Sequence, residues 1–488
     1  MLTVQYLTTH FTMENRLPTC SLTVMYDSVF YNEGSKKFDA WVSSAINACV
    51  ISELEVFVAQ QLNDSGPAAF VERAEGSYNM VFRFRAFNGN DVVLRIPKPG
   101  HTPLALASEK LANEVGWMRY LKENTSIPIP HLYSFSSQES SNLSPFGLPF
   151  ILMEFVQGRN LRDFLTKLAA PGKDADADAM RSAVYEQLAS FYLQLNRLHF
   201  NEIGSVAQDP VSGQWKVTQR PFTMDMHQLL LGVPDYPTGG WPSKPLRRAG
   251  DYFNFVADQQ RIQLWELRNI NLPRDRTSTC DAEQAAKIAR HRFEARVGFQ
   301  QLVTLFCKLG DDSGPFLPFN PDLDPRNMVI NPDTGRITGV FDLEFTNAMP
   351  AQFACDPPLW LHRVLPGQCL ERGFFPWFLD TYRPYLDQFL AAMRRIEKAE
   401  KATDEEESLS TRMLDSWTSK RCWFNYAAHN ADHVDAIYWE ELYKLHPGGD
   451  GPQLSIEMES EIIKYVEHTE KQLAAFEEAW VERETEAS

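Results

Sequence analysis

The sequence predicts an α+β protein of two unequal lobes, with a small antiparallel sheet carrying one helix in the first lobe and a larger, mostly helical second lobe. Between residues 66 and 98 the chain alternates short apolar runs with turn residues, and beyond residue 158 the apolar residues recur mainly at helical spacing. A short segment, 154–158, joins the two parts, and two lobes that meet at such a linker form a cleft suited to a ligand. The predicted division is an N-terminal extension (1–50), a small lobe (51–155) and a helical lobe (156–488) with an embedded hairpin at 319–345.

The composition excludes several classes of function. The 488 residues include 47 Lys and Arg against 64 Asp and Glu, a net charge of -17. This balance disfavours nucleic acid and membrane surfaces as partners, and it favours a cationic small molecule or a metal ion. The sequence contains no run of about 18 uncharged apolar residues, so it predicts no membrane-spanning helix. The seven cysteines form no CxxC pair, so we expect neither a disulfide framework nor a zinc site, and a reducing compartment.

The N-terminal segment gives only weak targeting information. Residues 1–26 contain one Arg and no Lys, a composition that is poor for a secretory signal and marginal for an organellar one. We therefore expect a disordered or loosely docked extension. The expected location is the cytoplasm, with the mitochondrion as the alternative.

The small lobe is predicted from a series of strands and one helix. "MVFRFRAF" and "DVVLRIP" read as strands, and "NGN" between them reads as a hairpin turn. "ALASEKLANEVGWMRYLKE" places Leu111, Val115, Met118 and Leu121 at helical spacing, so a helix follows the hairpin. Prolines make "TSIPIPHLYSF" extended, and "LPFILMEFVQG" reads as a buried strand that ends at Gly158.

The second lobe is predicted to be helical with two interruptions. "AVYEQLASFYLQLNRLHF" and "EARVGFQQLVTLFCKL" read as helices, and helices resume from about residue 370, with a charged linker at "KAEKATDEEES". A loop-rich region covers about 202–250. The other interruption is a hairpin, because "MVI" and "ITGVFDLEF" flank the turn sequence "NPDTGR".

Three polar residues belong to this hairpin and the loop before it. Asn327 precedes one strand, Asp342 lies near the end of the other, and Asp322 lies in the entering loop. Crowded carboxylates repel each other unless a cation lies among them. Asn327 and Asp342 could hold Mg²⁺ through their oxygens, while Asp322 remains free to accept a proton from a hydroxyl group. The alternative is that these residues only cap turns.

The order Asp-x-x-x-x-Asn, hairpin, Asp resembles the catalytic segment of the aminoglycoside phosphotransferase and choline kinase-like family. This family is a branch of the protein kinase-like fold, and "PDLDPRNMVINPDTGRITGVFDLE" is most similar to its fungal members. The resemblance implies a bilobal protein kinase-like fold, with Asp322 as the catalytic base and with Asn327 and Asp342 as metal ligands. "CDPPLWL", at 355–361, is similar to an Asp-Pro element of the same family.

The upstream half carries the same resemblance in the same order. "EGSYNMVFRF" resembles the phosphate-covering loop, with Gly76 and Ser77 at its tip. Arg95 stands where the fold usually has a strand lysine that contacts the nucleotide phosphates. Glu114, on the following helix, matches the acidic residue that pairs with it. A surface ion pair is the alternative for these two residues.

The resemblance implies a small-molecule kinase that uses ATP and Mg²⁺. The backbone from Glu154 to Val156 corresponds to the interlobe linker that bonds the adenine. Two positions depart from the family, since Asn320 replaces a usual His and Arg95 a usual Lys. Weakened catalysis is expected from Asn320, which can still make part of the hydrogen bonds. The alternatives are a pseudokinase that binds a nucleotide or partner without transfer, and a kinase-fold enzyme of specialised metabolism with other ATP-dependent chemistry.

Other polar residues receive structural predictions. Asp324 either joins the polar cluster or favours a turn before Pro325, and Arg326 could contact phosphate but is expected to stabilise the loop. Glu344 could support the metal ion, but as an alternating strand residue it is expected to face solvent or a neighbour. His429 and His433 form a polar helix face rather than a metal site. The aromatic tail is mostly core, but it supplies weak candidates for contact with the acceptor substrate: Trp423, Phe424, Tyr426 and Asp435.

Overall fold

The computed structural model describes residues 26–136, 143–271, 282–308, 312–400 and 408–486. Its first lobe contains α1 (Ser28–Ala45), α2 (Ala48–Leu62), β1 (Ala69–Glu75), β2 (Asn79–Arg85), β3 (Asp91–Pro97), α3 (Leu104–Asn124), β4 (Leu132–Phe135) and β5 (Ile151–Glu154). The five strands form one antiparallel sheet in the order β1-β2-β3-β5-β4. The predicted hairpin, helix and buried strand of this lobe are confirmed.

The two faces of this sheet have different partners, because successive side chains of a strand point to opposite faces. On β3, Leu94 and Ile96 join the core beneath α2, whose Leu54 is also fully buried. Val93 belongs instead to the core that α3 covers. Arg95, two residues along the strand, is therefore directed to the same side as α3 and the cleft.

The second lobe begins after the linker. Its elements in chain order are β6 (Arg159–Asn160), α4 (Leu161–Lys167), α5 (Ala175–Asn196), β7 (Ser205–Gln208), β8 (Trp215–Gln219), α6 (Met224–Gly232), α7 (Ala249–Glu266), α8 (Ala282–Lys308), β9 (Phe316–Phe319), β10 (Met328–Asn331), β11 (Arg336–Val340), β12 (Asn347–Pro350), α9 (Ala351–Ala354), α10 (Pro366–Glu371), α11 (Phe375–Glu400), α12 (Leu409–Thr418), α13 (Arg421–Ala428), α14 (Val434–Ile437) and α15 (Ile456–Glu486). The two-lobed α+β architecture is as predicted.

The second lobe contains more strand than the sequence predicted. The predicted hairpin is present as β10 and β11, but β6 extends it to three strands, and β9 pairs with β12. The region predicted as loop-rich holds the β7–β8 hairpin and α6. These strands have only two to five residues, which is too short for alternation to be recognised.

The N-terminal part lies against both lobes. Residues 1–25 of the predicted extension lie outside the described residues, as do residues 401–407 of the predicted charged linker. Asp27 caps α1, and its carboxylate accepts a 2.6 Å hydrogen bond from Arg268 of the second lobe. Further along α1, Gly34 meets the backbone of Gly100 in the first lobe so closely that a side chain at either position would clash.

Among the described residues no single helix is long and apolar enough to cross a membrane. One bent pair, Ser28–Ala45 with Cys49–Leu62, meets that test by length and composition.

Candidate active site

A cavity of about 470 Å³ lies between the lobes, and we call it the interlobe cavity. Its walls near the linker are apolar and come from Val81, Val93 and Met153 of the sheet and Val329 of β10. Its other end is polar. The lining residues there include Gly76, Ser77, Asn79, Arg95, Asp322, Arg326, Asn327, Asp342 and Glu344. An apolar slot that opens onto charged groups suits a flat ring with an anionic tail.

The three predicted residues of the hairpin region converge. Asn327 Nδ2 donates to Asp322 Oδ2 at 2.9 Å, and the backbone N–H of Phe341 donates to the carbonyl of Asn327 at 3.1 Å. Asn320 joins the two segments, since its Nδ2 donates to the carbonyl of Asp342 at 3.0 Å and its Oδ1 accepts from the N–H of Asp322 at 2.9 Å. Asn320 therefore braces the segment at the position where the family usually has His.

The donor set at this point fits Mg²⁺. Because the amide nitrogen of Asn327 donates to Asp322, Oδ1 is the atom of Asn327 that can face a cation. Asp342 adds a carboxylate whose side chain is 27% exposed toward the cleft. Mg²⁺ is commonly held by one or two protein oxygens together with substrate phosphates, and these two residues would supply such oxygens.

The chain leaves the sheet just before Asp342. Strand β11 ends at Val340, and Asp342 has a left-handed backbone with φ of 65°. This conformation is uncommon outside glycine, and aspartate is among the residues that tolerate it. The prediction of one long strand through "ITGVFDLEF" is therefore wrong. Glu344 consequently turns inward and is buried, against the solvent-facing alternative.

Arg95 forms the predicted pair with Glu114 and two further ion pairs. Its Nη1 donates to Glu114, while Nη2 donates to Asp342 Oδ1 at 2.8 Å and to Glu344 Oε2 at 2.7 Å. Arg95 is 8% exposed, so the pair is not the surface ion pair considered as the alternative. Burial and the carboxylate of Glu344 raise the pKa of Glu114, against the lowering effect of Arg95.

Asp322 lies in an environment suited to proton transfer. Burial and the neighbouring Asp342 raise the pKa of Asp322 to about 7. Arg326 Nη2 lies 3.2 Å from Asp322 Oδ1, and Arg326 Nε donates to Asp324 Oδ1 at 3.0 Å. Asp324 also caps the 3-10 turn Pro325–Asn327. Asp324 and Arg326 thus shape the loop, as predicted.

The loop between β1 and β2 covers the polar end of the cavity. Gly76 and Ser77 are among its lining residues. The next carbonyl, of Tyr78, accepts hydrogen bonds of 2.9 Å from the N–H of Lys98 and from the hydroxyl of Thr102. Lys98 Nζ also donates to the carbonyl of Gly76 at 3.3 Å. The loop is thereby anchored to the end of β3.

Hydrogen bonds within the linker leave fewer backbone N–H groups for the predicted contact with adenine. The N–H of Glu154 donates to the carbonyl of His131 at 2.8 Å, and the N–H of Phe155 donates to that of Asp91 at 3.2 Å. The structure places Glu154 and Val156 on the cavity lining. Since the N–H groups of Glu154 and Phe155 serve the sheet, Val156 is the better candidate for a backbone contact to a ligand.

A second cavity of about 410 Å³ adjoins the first. We call it the proline-rich cavity, because Pro318, Pro321, Pro357, Pro358 and Pro366 line it. The two cavities share Asp322 and Arg326. Five carboxylates line the proline-rich cavity: Asp322, Asp324, Asp356, Glu371 and Asp432.

Asp356, in the "CDPPLWL" element, belongs to the wall of the proline-rich cavity. Its carboxylate accepts hydrogen bonds from the hydroxyl of Ser416 and, at 2.9 Å, from Asn425 Nδ2. Burial raises the pKa of Asp356 to about 7.

Of the four weak candidates in the aromatic tail, Tyr426 alone is among the residues that line this cavity in the described part of the chain. Trp423 and Phe424 are fully buried in the core. Asp435 is bound instead by Arg292 at 2.8 Å and Arg296 at 3.0 Å. Tyr426 therefore stays the one candidate of the four with a place on the cavity wall.

The two histidines of the tail do not share a regular helix. Helix α13 ends at Ala428, before His429, and His433 Nδ1 lies 2.9 Å from the hydroxyl of Tyr426. Within the described ranges no group of three or more His, Cys, Asp or Glu side chains could hold a metal ion.

Sequence reasoning missed Lys110 and Asn79, and for Glu344 it left open whether the side chain faces solvent or a neighbour. Lys110 Nζ lies 3.1 Å from Glu344 Oε2, and Asn79 Nδ2 donates to the same oxygen at 2.9 Å. One signal was available for Lys110. It precedes Glu114 by four residues, and residues four apart lie on the same face of a helix.

A model of the phosphotransferase enzyme family matches residues 70–357, more than half of the chain. A subtelomeric hrmA-associated cluster protein of Aspergillus fumigatus is 39% identical over 350 residues, which cover 67% of each chain. Altered inheritance of mitochondria protein 9, mitochondrial, of Meyerozyma guilliermondii is 23% identical over 58% of this chain and 49% of that protein. This chain thus spans about half the length of that relative.

Among solved structures, an aminoglycoside phosphotransferase from Streptomyces rimosus is 16% identical, with a TM-score of 0.36. The match covers 79% of this chain and 98% of that chain. The resemblance seen in the sequence, including its fungal branch, is confirmed by the family match and the fungal relatives.

Proposed function

Because the chain belongs to the phosphotransferase enzyme family, we propose that it is an ATP- and Mg²⁺-dependent phosphotransferase that phosphorylates a hydroxyl group of a small molecule. One observation carries the proposal. Asp322 lies on the boundary of the interlobe cavity and the proline-rich cavity. A base at this boundary can reach an acceptor in one cavity and a nucleotide in the other.

In this proposal the chain supplies a base, metal ligands and phosphate contacts. Asp322 accepts the proton of the acceptor hydroxyl group. Asn327 Oδ1 and Asp342 would hold Mg²⁺, which neutralises charge on the β- and γ-phosphates when bound. Arg95, fixed by Glu114, would neutralise the phosphate tail.

The remaining contacts orient the nucleotide. The backbone N–H of Ser77 would face the phosphates, since that of Gly76 donates to the carbonyl of Asn79 at 2.8 Å. The backbone at Val156 would bond the adenine. Both walls beside the linker are apolar, which excludes water from the ring.

The lining of the proline-rich cavity supports a basic acceptor. Arg326 pairs with two of its five carboxylates, Asp322 and Asp324. Glu371 and Asp432 line the same cavity away from that pairing. A hydroxylated amine would therefore enter with a favourable charge.

The test is a search for a phosphorylated product. Purified protein is incubated with ATP, Mg²⁺ and a metabolite extract, and mass spectrometry records any compound that gains one phosphoryl group while ADP forms. Asp322→Asn is isosteric and removes the base, so product formation should fall about 10²- to 10⁴-fold. Asp333→Asn, in the exposed hairpin turn, is the matched control. Equal product formation by Asp322→Asn and the wild-type protein would overturn the assignment of the base.

A second candidate function is that of a pseudokinase. The hydrogen bond from Arg95 to Asp342 favours this candidate, because it occupies the proposed metal ligand. Thermal stabilisation by ATP, measured with and without Mg²⁺, together with slow ATP hydrolysis, separates the two. Binding without turnover indicates a pseudokinase. Formation of AMP rather than ADP would indicate other ATP-dependent chemistry, such as nucleotidyl transfer.

The proposed location is the cytoplasm, where the scattered cysteines would stay reduced. The relatives named mitochondrial make the mitochondrion the alternative. Fluorescence of the full-length protein with a C-terminal tag distinguishes the two compartments.

A further inference from the structure

Glu344 connects three elements of the small lobe to the segment that carries Asp342. Its Oε2 accepts from Arg95 of β3 at 2.7 Å and from Asn79 at the start of β2 at 2.9 Å, and Lys110 of α3 lies 3.1 Å away. The backbone carbonyl of Glu344 accepts from Asn113 Nδ2 at 2.9 Å. Glu344 is 2% exposed, so these partners take the place of water.

The charges of this cluster do not balance. Two cations, Arg95 and Lys110, face three carboxylates, Glu114, Asp342 and Glu344. A buried carboxylate that loses its partner is strongly destabilising. Each carboxylate therefore depends on the position of the two cations for a charged partner.

Arg95 pairs with carboxylates in the structure and is proposed to contact phosphates, and these two roles compete. Its Nη2 bonds Asp342 and Glu344 at once. The proposed function requires the same guanidinium to face phosphate oxygens and requires Asp342 to face the metal ion. If Arg95 turned toward a nucleotide without a second cation nearby, Glu344 would remain buried without a charged partner.

We propose that Lys110 is a positioning residue, which holds Glu344 when Arg95 turns to the phosphates and so sets how strongly nucleotide binding depends on the metal ion. This inference rests on the proposed function. Lys110 acts through Glu344 and is not among the residues that line the interlobe cavity in the described chain.

The surroundings of Lys110 support a fixed ammonium group. Lys110 is 3% exposed, and its Nζ lies 5.0 Å from the ring centre of Tyr78 and 5.7 Å from that of Phe345. Aromatic faces attract a cation at these distances. Burial lowers the pKa of Lys110 and so disfavours the ammonium form, and the carboxylate of Glu344 opposes this effect.

Titration calorimetry with a non-hydrolysable ATP analogue tests the inference. The dissociation constant is measured with Mg²⁺ and with a chelator, and the ratio of the two values is the readout. In Lys110→Met the site is more negative, so affinity without metal should fall at least about tenfold. Affinity with Mg²⁺ should fall less, because the ion compensates for the lost cation, and the ratio widens.

Two further variants separate charge from packing. Lys110→Arg keeps the cation and should keep the wild-type ratio. The double variant Lys110→Met with Glu344→Gln removes one charge of each sign, so its ratio should return to within about twofold of the wild-type ratio. Lys287→Met, at an exposed position of α8, is the control. Thermal unfolding of every variant without ligand measures any loss of stability.

Each outcome decides the inference. A wider ratio in Lys110→Met that the double variant reverses supports it. If Lys110→Met loses affinity equally with and without Mg²⁺, Lys110 has a structural role only and the inference is overturned. Nucleotide binding by the wild-type protein would in that case leave the proposed function standing. If the wild-type protein binds no nucleotide under either condition, the proposed function fails and this inference fails with it.

Discussion

The interlobe cavity and the proline-rich cavity share one wall but are built differently. The polar end of the interlobe cavity comes from short segments in which each charged side chain has a charged partner, as with Arg95 and Glu114. The proline-rich cavity collects parts of α5, α10 and α13 and the loops between them. The first arrangement suits one constant ligand. The second can change with the sequence of several separate segments, which fits the choice of an acceptor.

Replacement of Asp342 by Asn should break the function of the interlobe cavity most completely. The isosteric change removes the charge of a proposed metal ligand, and we expect Mg²⁺-dependent ATP turnover to fall on the order of 10³-fold. Steady-state ATP hydrolysis measures this effect. Nucleotide affinity in a chelator should not fall, because the carboxylate no longer repels the phosphates. Turnover close to that of the wild-type protein would contradict the metal role of Asp342.

Replacement of Asn320 tests whether turnover depends on the hydrogen bonds that connect Asp322 to Asp342. Asn320→Ala removes the two hydrogen bonds that join Asp322 to Asp342. Each such bond contributes roughly 1 kcal/mol or more in a buried site, so kcat should fall on the order of 10- to 10²-fold.

Asn320→His is the matched variant for this test, because it introduces the residue usual in the family. It should keep wild-type turnover or exceed it. Thermal unfolding of both variants shows whether the fold is retained. A fall in turnover with His as large as with Ala would contradict the bracing role.

The two cavities also differ in how far the sequence predicted them. Asp322, Asn327 and Asp342 lie within one hairpin and its loop, so local turn chemistry and the resemblance were sufficient to bring them together. Lys110 and Glu344 lie in different lobes, and their contact depends on the chain leaving the sheet after Val340. The structure shows that departure as an unusual backbone angle at Asp342, which the local sequence does not reveal.

The proline-rich cavity was outside the reach of sequence reasoning for a related reason. Trp423 and Tyr426 lie on the same short helix and have similar aromatic character, yet one is core and the other faces the cavity. The neighbours that decide this come from α10 and the "CDPPLWL" segment, which are distant in sequence. The same limit applies to the fold, where β6 and β9 exist through pairing with distant strands.

Asp432 tests whether the proline-rich cavity selects a basic acceptor. Its side chain is 12% exposed and lies 3.6 Å from His433 Nε2. Asp432→Asn should raise the KM for a basic acceptor about tenfold, without a change in the KM for ATP. Asp380→Asn, exposed on α11, is the control. Equal changes in both KM values would show that the cavities are not separate in function.

The smallest expected effect concerns stability beside the proline-rich cavity. Burial and the nearby Asp432 raise the pKa of Asp225 from 3.8 to about 7. Because the folded state holds this proton more tightly, the contribution of Asp225 to stability is complete below about pH 4. It decreases as the pH rises toward 7 and is lost above that value.

Asp225→Asn cannot ionise, so its Tm relative to the wild-type protein should increase by about 2–4 °C between pH 5 and pH 8. Asp251→Asn, in the first turn of α7 as Asp225 is in that of α6, controls for the loss of a charge near a helix N-terminus. A Tm difference that does not change with pH would show that Asp225 stays ionised in the fold. The region beside the proline-rich cavity would then tolerate buried charge, as the interlobe cavity does.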